Sequence, residues 1–326
     1  MRNLLTCSPK FPTAFIAAVL SLPWHPDASA DIRQLQNRYQ ELKPKLAANA
    51  YGVPMLLESD TAKGGLIGNV YGIIRHPFES VRTALTTPAN WCRIVPQHFN
   101  IKACTYQPID NTCQLNFYAG RKFYENPEHV FRLSYTWQPA SYQADYFHLV
   151  LSAGQGPLDT RDYRIVAEAI PLNDESTFIR FSYSWKYGAW SRLAMNTYLA
   201  TLAGNKTGLT VVSTGEQGQP IYINGMAAVA ERNALRYYLA IQAFLDTRDV
   251  QQDQRFLSRL NSWFDMTAQY RQLFEMDRHD YLSIKTREEQ DQQRLQLQLP
   301  IQTDNACNKS IDDQQLTLLN QDAGQH

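Results

Sequence analysis

The stretch that decides the fold class is Gly72–Val81, which reads GIIRHPFESV. Its first residues end an alternating apolar segment, which is typical of a β-strand. Pro77 then suits the first turn of a helix, where its missing N–H is not needed. Apolar residues recur at helical spacing as far as Leu85, and after Pro88 they continue with Trp91. The stretch therefore predicts a strand that runs directly into two short helices.

A long series of strands follows, over residues 98–185. Most of its segments alternate and are rich in Tyr, Phe, Val and Thr, and turn sequences such as Asn126-Pro127 separate them. Because strands joined by short turns pair antiparallel, we expect an antiparallel sheet. Every second residue of Phe178–Trp185 is apolar, which predicts one dry and one solvated face.

The segment before Gly72 predicts a leading helix and a first strand. Residues 31–54 carry apolar side chains at helical spacing, limited by Pro44. Residues 55–74 are strand-like, and Gly64-Gly65 permits a bulge or a sharp bend. We therefore place the start of the main domain at residue 55.

The pattern becomes helical again after residue 225. Met226–Leu245 contains no Gly or Pro and predicts a long apolar helix, which can hide its face only against the sheet. A helical extension over residues 247–285 includes the amphipathic segment Asp253–Glu275, which either braces the same core or binds a partner. Residues 286–326 are rich in Gln and Asp, so we expect a mostly disordered tail.

The N-terminus predicts export. A basic start precedes the apolar run Thr13–Leu22, and Ala28-Ser29-Ala30 supplies the small residues that a signal peptidase accepts. Residues 1–30 are therefore expected to be a signal peptide cut before Asp31, with an uncleaved anchor as the alternative. The apolar run is shorter than the roughly 20 residues that span a bilayer. The mature chain is expected to be soluble, and periplasmic or secreted.

The charge balance disfavours one class of partner. The chain has 31 basic and 31 acidic residues, so no overall field attracts a polyanion. We expect no nucleic-acid partner and no cofactor. The chain has no dinucleotide fingerprint, no phosphate loop, and no HExxH or GxSxG sequence.

Four cysteines remain after the predicted cleavage. Cys104 and Cys113 flank a turn-like segment, which predicts a disulfide across a hairpin, with two buried free thiols as the alternative. Cys92 and Cys307 are too far apart in sequence to assign. We expect no zinc site, because no CxxC or HxxxH spacing is present.

The order of these elements, together with Gly72–Val81 and its continuation Trp91–Pro96, resembles the START and polyketide-cyclase superfamily, also called SRPBCC proteins. The resemblance covers residues 55–246 and implies an α+β helix-grip fold. In that fold a curved antiparallel sheet of six to seven strands wraps on a long C-terminal helix. Extra helices would precede and follow it here. The superfamily has no universal catalytic motif, so no catalytic residue is carried over.

A helix-grip sheet leaves a hollow that can bind an apolar ligand such as a lipid, a sterol or a polyketide-like molecule. Such a protein would transport or sequester its ligand and make at most transient contact with a membrane surface. The residues expected to bind the ligand are Phe117, Tyr135, Trp137, Phe147, His148, Phe181, Tyr183, Trp185, Glu231, Arg232 and Tyr237.

Three of these residues carry polar groups with a structural alternative. Glu231 and Arg232 lie in an apolar helix, where a charge needs a partner or a ligand head group. A salt bridge is the structural alternative for both. His148 can carry a proton, but a single strand histidine is commonly just packed or hydrogen-bonded.

Two other functions stay open. A cavity enzyme of the cyclase or hydrolase type needs at least two polar groups that converge inward, whereas a carrier needs one or none. An envelope scaffold would dock through the apolar face of Asp253–Glu275. We expect the carrier, with the enzyme and the scaffold as alternatives.

Overall fold

The computed structural model describes residues 28–61, 64–110, 112–138, 142–188, 206–300 and 307. Residues 1–27 of the predicted signal peptide, which spans residues 1–30, lie outside this part of the chain. So do residues 301–306 and 308–326 of the predicted tail. Within the described ranges, none of the helices combines the length and the apolar character that crossing a bilayer requires.

The core of the protein is one antiparallel sheet of nine strands. Eight strands follow one another in the order β1-β2-β9-β8-β7-β5-β4-β3, and the short β6 pairs with β7. The strands are β1 Met55–Asp60, β2 Gly65–Ile74, β3 Ile101–Ile109, β4 Thr112–Ala119, β5 Phe131–Gln138, β6 Tyr142–Gln143, β7 Tyr146–Gln155, β8 Thr160–Asn173 and β9 Ser176–Tyr187. A separate hairpin pairs β10 Val211–Thr214 with β11 Pro220–Tyr222.

The sheet has more strands than predicted, partly because residues 55–74 form two strands rather than one. β1 and β2 pair antiparallel, with Met55 opposite Gly72. Gly64 lies between them at a φ of +70°, a conformation that favours glycine. The bend that the sequence permitted is therefore a complete turn.

Six α-helices fall within the described ranges. They are α1 Ala28–Ala47, α2 Phe78–Thr86, α3 Pro88–Ile94, α4 Gly225–Asp246, α5 Gln252–Ala268 and α6 Arg278–Gln298. The two short helices α2 and α3 follow β2 directly, as the opening stretch predicted. The long helix α4 packs on β1, β2 and β9 through small residues, and a Cβ at Gly68 would lie 2.5 Å from the carbonyl oxygen of Ala230. This arrangement is the α+β helix-grip fold, and that prediction is confirmed.

The outer face of the sheet, on the side away from α4, is not solvated throughout. Helix α1 covers part of it with Leu35, Leu42 and Leu46, which pack with Tyr71 and Phe178. The expectation of a solvated outer face is wrong where α1 covers β2 and β9. Large apolar side chains on the outer positions of β2 and β9 require a cover, and α1 supplies it.

The segment after residue 286 corrects a second expectation. Residues 278–298 form helix α6, which lies along the edge strand β3, so the start of the predicted disordered tail is helical. Gln292 Oε1 accepts the backbone N–H of Cys104 at 2.6 Å, and Gln296 Oε1 accepts that of Tyr106 at 3.0 Å. Gln296 Nε2 also donates to the Tyr106 carbonyl at 2.9 Å. Side-chain amides thus pair with β3, which is an edge strand among the strands that the structure describes.

Buried charges hold the same helix to the sheet. Lys102 and Lys285 donate to opposite oxygens of Glu288 at 2.9 and 2.7 Å, and all three side chains are buried. Lys285 also donates to the carbonyls of His98 and Ile101. The polar sequence of α6 therefore faces inward as well as outward.

The predicted disulfide between Cys104 and Cys113 is wrong. Cys92 bonds to Cys104, and Cys113 bonds to Cys307. The hairpin register explains the difference, since Cys104 lies opposite Phe117 and Cys113 lies opposite Pro108. The two cysteines flank the turn unequally and never face each other.

Candidate ligand-binding cavity

A cavity of about 660 Å³, which we call the grip cavity, lies between α4 and the inner face of the sheet. The inner face is the one that faces α4. Strands β3, β4, β5, β8 and β9 contribute side chains to it, and α4 contributes one wall. Its apolar and aromatic lining consists of Ile101, Phe117, Ala119, Val130, Leu133, Tyr135, Pro157, Leu158, Tyr163, Tyr183, Trp185, Val229 and Tyr237. This size is in the range of small-molecule sites.

The aromatic rings of the wall contact one another. Tyr183 lies at the centre, with its ring 5.0 Å from Trp185 and 5.2 Å from Tyr237 between centroids. Phe117 and Tyr135 form a second pair at 4.5 Å. Mutual packing of this kind fixes the ring positions and leaves a preformed surface for an apolar ligand.

Four tyrosines line the cavity, and their hydroxyl groups stay protonated. Burial raises the pKa of Tyr135 and Tyr183 well above the ordinary value, and the two hydroxyls hydrogen-bond to each other. Burial also raises the pKa of Tyr163 and Tyr237. These groups can donate hydrogen bonds to a ligand, but they are poor bases near neutral pH.

His98 is a cavity residue whose ring nitrogens are both engaged. Its Nδ1 accepts the backbone N–H of Asn100 at 3.1 Å, and its Nε2 lies 3.3 Å from Asn233 Oδ1. Burial, with Arg236 and Lys285 nearby, lowers the pKa of His98 well below its usual value. The imidazole is therefore neutral and donates through Nε2, and its ring stacks on Tyr237 at 4.8 Å.

Charged groups gather at one end of the cavity around Glu275. Arg236 Nη2 lies 2.8 Å from its Oε1, Lys206 pairs with its Oε2, and Lys122 lies 3.6 Å away. Burial alone would raise the pKa of Glu275, but Arg236 and Lys206 lower it overall. Arg232 Nη1 donates to the carbonyls of Lys206 and Thr207. This end holds more positive than negative charge.

The structure brings together about half of the residues that the sequence nominated. Those that line the grip cavity are Phe117, Tyr135, Tyr183, Trp185, Arg232 and Tyr237. Trp137, Phe147 and Phe181 point to the same face but belong to the solid core. Phe147, for example, packs on Phe78 at 5.9 Å.

Glu231 lies outside the grip cavity and holds a loop. Its Oε2 accepts the backbone N–H groups of Leu209 and Thr210 at 2.7 and 3.1 Å, and its Oε1 accepts from Ser59 at 3.2 Å. A salt bridge was the structural alternative for this buried charge, and Glu231 forms none among the described residues. Two backbone N–H groups satisfy its carboxylate instead.

His148 lies on the outer face of the sheet, so its nomination for the cavity is wrong. It stands opposite Glu168 in the β7–β8 register, and Glu168 stands opposite Arg180 on β9. Arg180 Nη1 lies 2.7 Å from Glu168, and the Tyr146 hydroxyl lies 3.1 Å from it. Burial lowers the pKa of His148, opposed by Glu168. These residues line a separate cleft under α1.

Several cavity residues were not found from the sequence. Tyr163 sits at an inward position of β8 and was accessible to the alternation argument. Arg236 follows Arg232 by one helical turn on α4, which is also a readable spacing. His98, Asn233 and Glu275 come from loops or from a helix face, and no pattern in the chain marks them.

One group of side chains in the described part of the chain has metal-ligand spacing. Asp277, His279 and Asp280 lie close together at the start of α6, and all three are exposed. Asp277 Oδ1 already accepts the Asp280 N–H as a helix cap at 2.9 Å. This arrangement caps the helix and carries no metal assignment.

No protein-family model matches the sequence, and no curated protein shows significant similarity to it. Solved structures with similar geometry include a conserved protein from Geobacillus kaustophilus, at 13% identity and a TM-score of 0.34, which covers 55% of this chain and 95% of that one. Norcoclaurine synthase from Thalictrum flavum matches at 11% identity and a TM-score of 0.29, over 57% and 86% of the two chains. A conserved protein from Enterococcus faecalis matches at 10% identity and a TM-score of 0.30, over 78% and 97%. Similarity at this level carries no argument about function.

Proposed function

We propose that the protein binds a small, mainly apolar molecule with an anionic or polar group in the grip cavity, and that it transports or sequesters this molecule. The observation that carries the proposal is a cavity of about 660 Å³ with a preformed aromatic wall. Lipids, sterols and polyketide-like molecules fit this description. Membership of the START and polyketide-cyclase superfamily and a place in the cell envelope are parts of the same proposal.

Burial of apolar surface is sufficient to hold such a ligand. Removing about 300 Å² of ligand surface from water, at about 25 cal/mol per Å², gives about 7 kcal/mol before ordering costs. With no ordering costs, that energy would correspond to an affinity near the micromolar range, which is therefore the upper limit for burial alone. The ligand needs no covalent or metal anchor.

The charged end of the cavity supports the polar group of the proposed ligand. The lining includes four basic side chains, Arg121, Lys206, Arg232 and Arg236, and two acidic ones, Glu125 and Glu275. A carboxylate or sulfate at this end would meet positive potential while the apolar part rests on Trp185 and Tyr183. A neutral apolar ligand gains nothing from these charges.

Filling the grip cavity with a larger side chain tests the proposal directly. Val229 lines the grip cavity from α4, so V229W places an indole in the ligand space. Binding of cis-parinaric acid, followed by its fluorescence, is expected to weaken at least tenfold. V212W is the matched control, because Val212 is 56% exposed on the separate hairpin. Equal binding by V229W and the wild type would overturn the proposal, as would an absence of binding by both.

The cavity is more polar than a simple carrier requires, and this favours an enzyme as the second candidate. His98, Tyr135, Tyr183 and Tyr237 all line it, which exceeds the two inward polar groups that catalysis needs. Against this, the tyrosines stay protonated and both nitrogens of His98 are engaged. Mass spectrometry of a molecule extracted from the protein, then incubated with fresh protein, separates the two. A carrier returns the molecule unchanged, whereas an enzyme converts it.

The scaffold alternative depends on the apolar face of α5, which was the predicted docking surface. Leu260, Trp263 and Phe264 of α5 are buried, and Trp263 Nε1 donates to the Arg236 carbonyl on α4 at 2.9 Å. The helix ends at Ala268, before the predicted limit. These three side chains thus brace the core and are not free to dock a partner.

A further inference from the structure

A second cleft, which we call the arginine cleft, lies between α3, α5 and α6 and has a volume of about 490 Å³. It shares no lining residue with the grip cavity. Its polar lining consists of Arg93, Gln97, Gln252, Arg255, Arg259, Lys285, Glu288, Glu289, Gln292 and Gln293. The proposed function makes no use of this cleft.

Three arginines enter the arginine cleft at different depths. Arg93 is exposed, Arg255 is half-buried, and Arg259 is only 7% exposed. Arg255 Nε donates to the Val250 carbonyl at 3.0 Å, and Arg259 Nη1 reaches the Arg93 carbonyl at 3.4 Å. Arg259 also lies over the ring of Phe244, 4.8 Å from its centroid. These contacts orient the guanidinium groups, but none of them is an ion pair.

No carboxylate of the described chain lies within ion-pair distance of these three arginines. The buried Nε of Arg259 has no hydrogen-bond partner among the described residues. A buried guanidinium without a counter-charge is costly, and most proteins avoid it. Its presence in a cleft open to solvent points to a counter-anion that comes from outside.

The surroundings add to the positive potential. The lining contains four basic side chains and two acidic ones, and one of the acidic ones, Glu288, is already held by Lys285 and Lys102. The other, Glu289, is hydrogen-bonded by Gln293 at 2.9 Å, and burial raises its pKa, opposed by the positive charges of Arg259 and Arg93. It therefore offsets only part of the positive charge of the three arginines. Helix α5 begins at Gln252, which lines the cleft, and the N-terminus of a helix carries partial positive charge. Burial and the nearby Arg93 and Arg255 lower the pKa of Arg259 to about 10.

We propose that the arginine cleft binds an anion that carries a phosphate group. Guanidinium groups match phosphate oxygens through paired N–H donors, and three of them converge here. The cleft has room for a diphosphate or for a phosphate ester. The inference goes beyond the proposed function, because the two cavities are lined by different side chains.

Calorimetric titration of the full-length protein with inorganic pyrophosphate tests the proposal. The wild type is expected to bind one equivalent saturably, and the double variant R93Q/R255Q at least tenfold more weakly. Both residues have solvent-accessible side chains, so the double variant is expected to fold, and circular dichroism checks this. R132Q is the matched control, because Arg132 is exposed on β5 and does not line either cavity. Unchanged affinity in R93Q/R255Q, an equal loss in R132Q, or no saturable binding would overturn the proposal.

The same variants identify the source of the phosphate. Sedimentation with phosphatidic acid vesicles, abolished by R93Q/R255Q and by competing pyrophosphate, would assign a lipid phosphate. Pyrophosphate binding without vesicle binding would assign a soluble one. Binding of cis-parinaric acid is expected to stay unchanged in R93Q/R255Q, so a failure of the grip-cavity proposal remains distinguishable.

Discussion

Helix α4 presents Ala230, Ala234 and Ile241 to the sheet, whereas helix α6 presents Lys285, Glu288 and Gln292 to it. The first helix excludes water from an apolar face. The second helix replaces water on the backbone groups of an edge strand. Both helices pack against the sheet, although only α4 follows the rule that buried surfaces are apolar. An edge strand can therefore be covered by hydrogen-bonding side chains when their spacing matches that of its free backbone groups.

The two covers should differ in what they depend on. Close packing under α4 tolerates no added volume, because burial stabilises it only when the surfaces fit. Each hydrogen bond under α6 contributes only about 1 kcal/mol net. We therefore expect α6 to rely on the disulfide that follows it and on its buried charges.

The largest expected effect comes from removing the Cys113–Cys307 disulfide. The crosslink spans 194 residues, whereas Cys92–Cys104 spans 12. Chain entropy predicts a loss of about 5 kcal/mol for C113S/C307S and about 3 kcal/mol for C92S/C104S, measured by urea unfolding. If C113S/C307S loses no more than C92S/C104S, then α6 holds to the sheet without the crosslink and the comparison fails.

The next effect is a pH dependence that comes from Lys285 on α6. Burial lowers the pKa of Lys285 to about 8, from the ordinary value of 10.5. Between these values the unfolded chain binds more protons than the folded one, so the free energy of unfolding rises with pH. The wild type should gain up to about 3 kcal/mol relative to K285M from pH 8 to 10.5.

The exposed Lys43 supplies the control for this measurement. K43M should follow the wild type across the whole range. An equal pH slope in K285M and the wild type would show that Lys285 titrates normally in the folded protein.

A smaller effect tests the cover formed by α4. A Cβ added to Gly68 would lie 2.5 Å from the Ala230 oxygen and 2.9 Å from the Ala234 Cβ, so G68A should cost about 2 kcal/mol. G154A is the matched control, because nothing lies within 4 Å of its added Cβ. Thermal or urea unfolding measures the stability of both variants. Similar stability would mean that α4 can shift to make room for the added methyl group.

The smallest effect tests the amides of α6. Q292A/Q296A removes the side chains that pair with Cys104 and Tyr106. Because water can reach these half-buried groups and replace the lost amides, the cost should stay near about 1 kcal/mol, below the sum of the bonds removed. Hydrogen exchange of those two backbone amides should become faster, because water replaces a fixed acceptor. Q290A, at an exposed position of α6, should change neither quantity. Unchanged exchange in Q292A/Q296A would mean that the helix protects β3 without its amides.

The same comparison explains what the sequence could and could not predict. Helix α4 was predictable because its apolar residues repeat with the helical period. The inward orientation of Tyr183 and Trp185 on β9 was likewise predictable, because the two residues alternate with polar ones along the strand. Helix α6 was missed because its partners are backbone groups, and a polar stripe resembles a solvated or disordered segment.

The candidate site shows the same limit. Alternation placed Phe117 and Tyr135 on the inner face, but it gives no depth along a strand, so the core residue Trp137 was grouped with them. Phe147 and His148 are neighbours on one strand and cannot both point inward, which the nomination of both overlooked. The disulfides required the register of β3 against β4, which a turn sequence alone did not define.

The Cys113–Cys307 bond also constrains the order in which the chain can be completed. A ribosome must add 194 residues after Cys113 before the partner thiol exists. During that interval the nearest thiols are Cys104 and Cys92, and each could capture Cys113 wrongly. Closing Cys92–Cys104 first would remove both competitors, so the short crosslink would favour correct pairing of the long one.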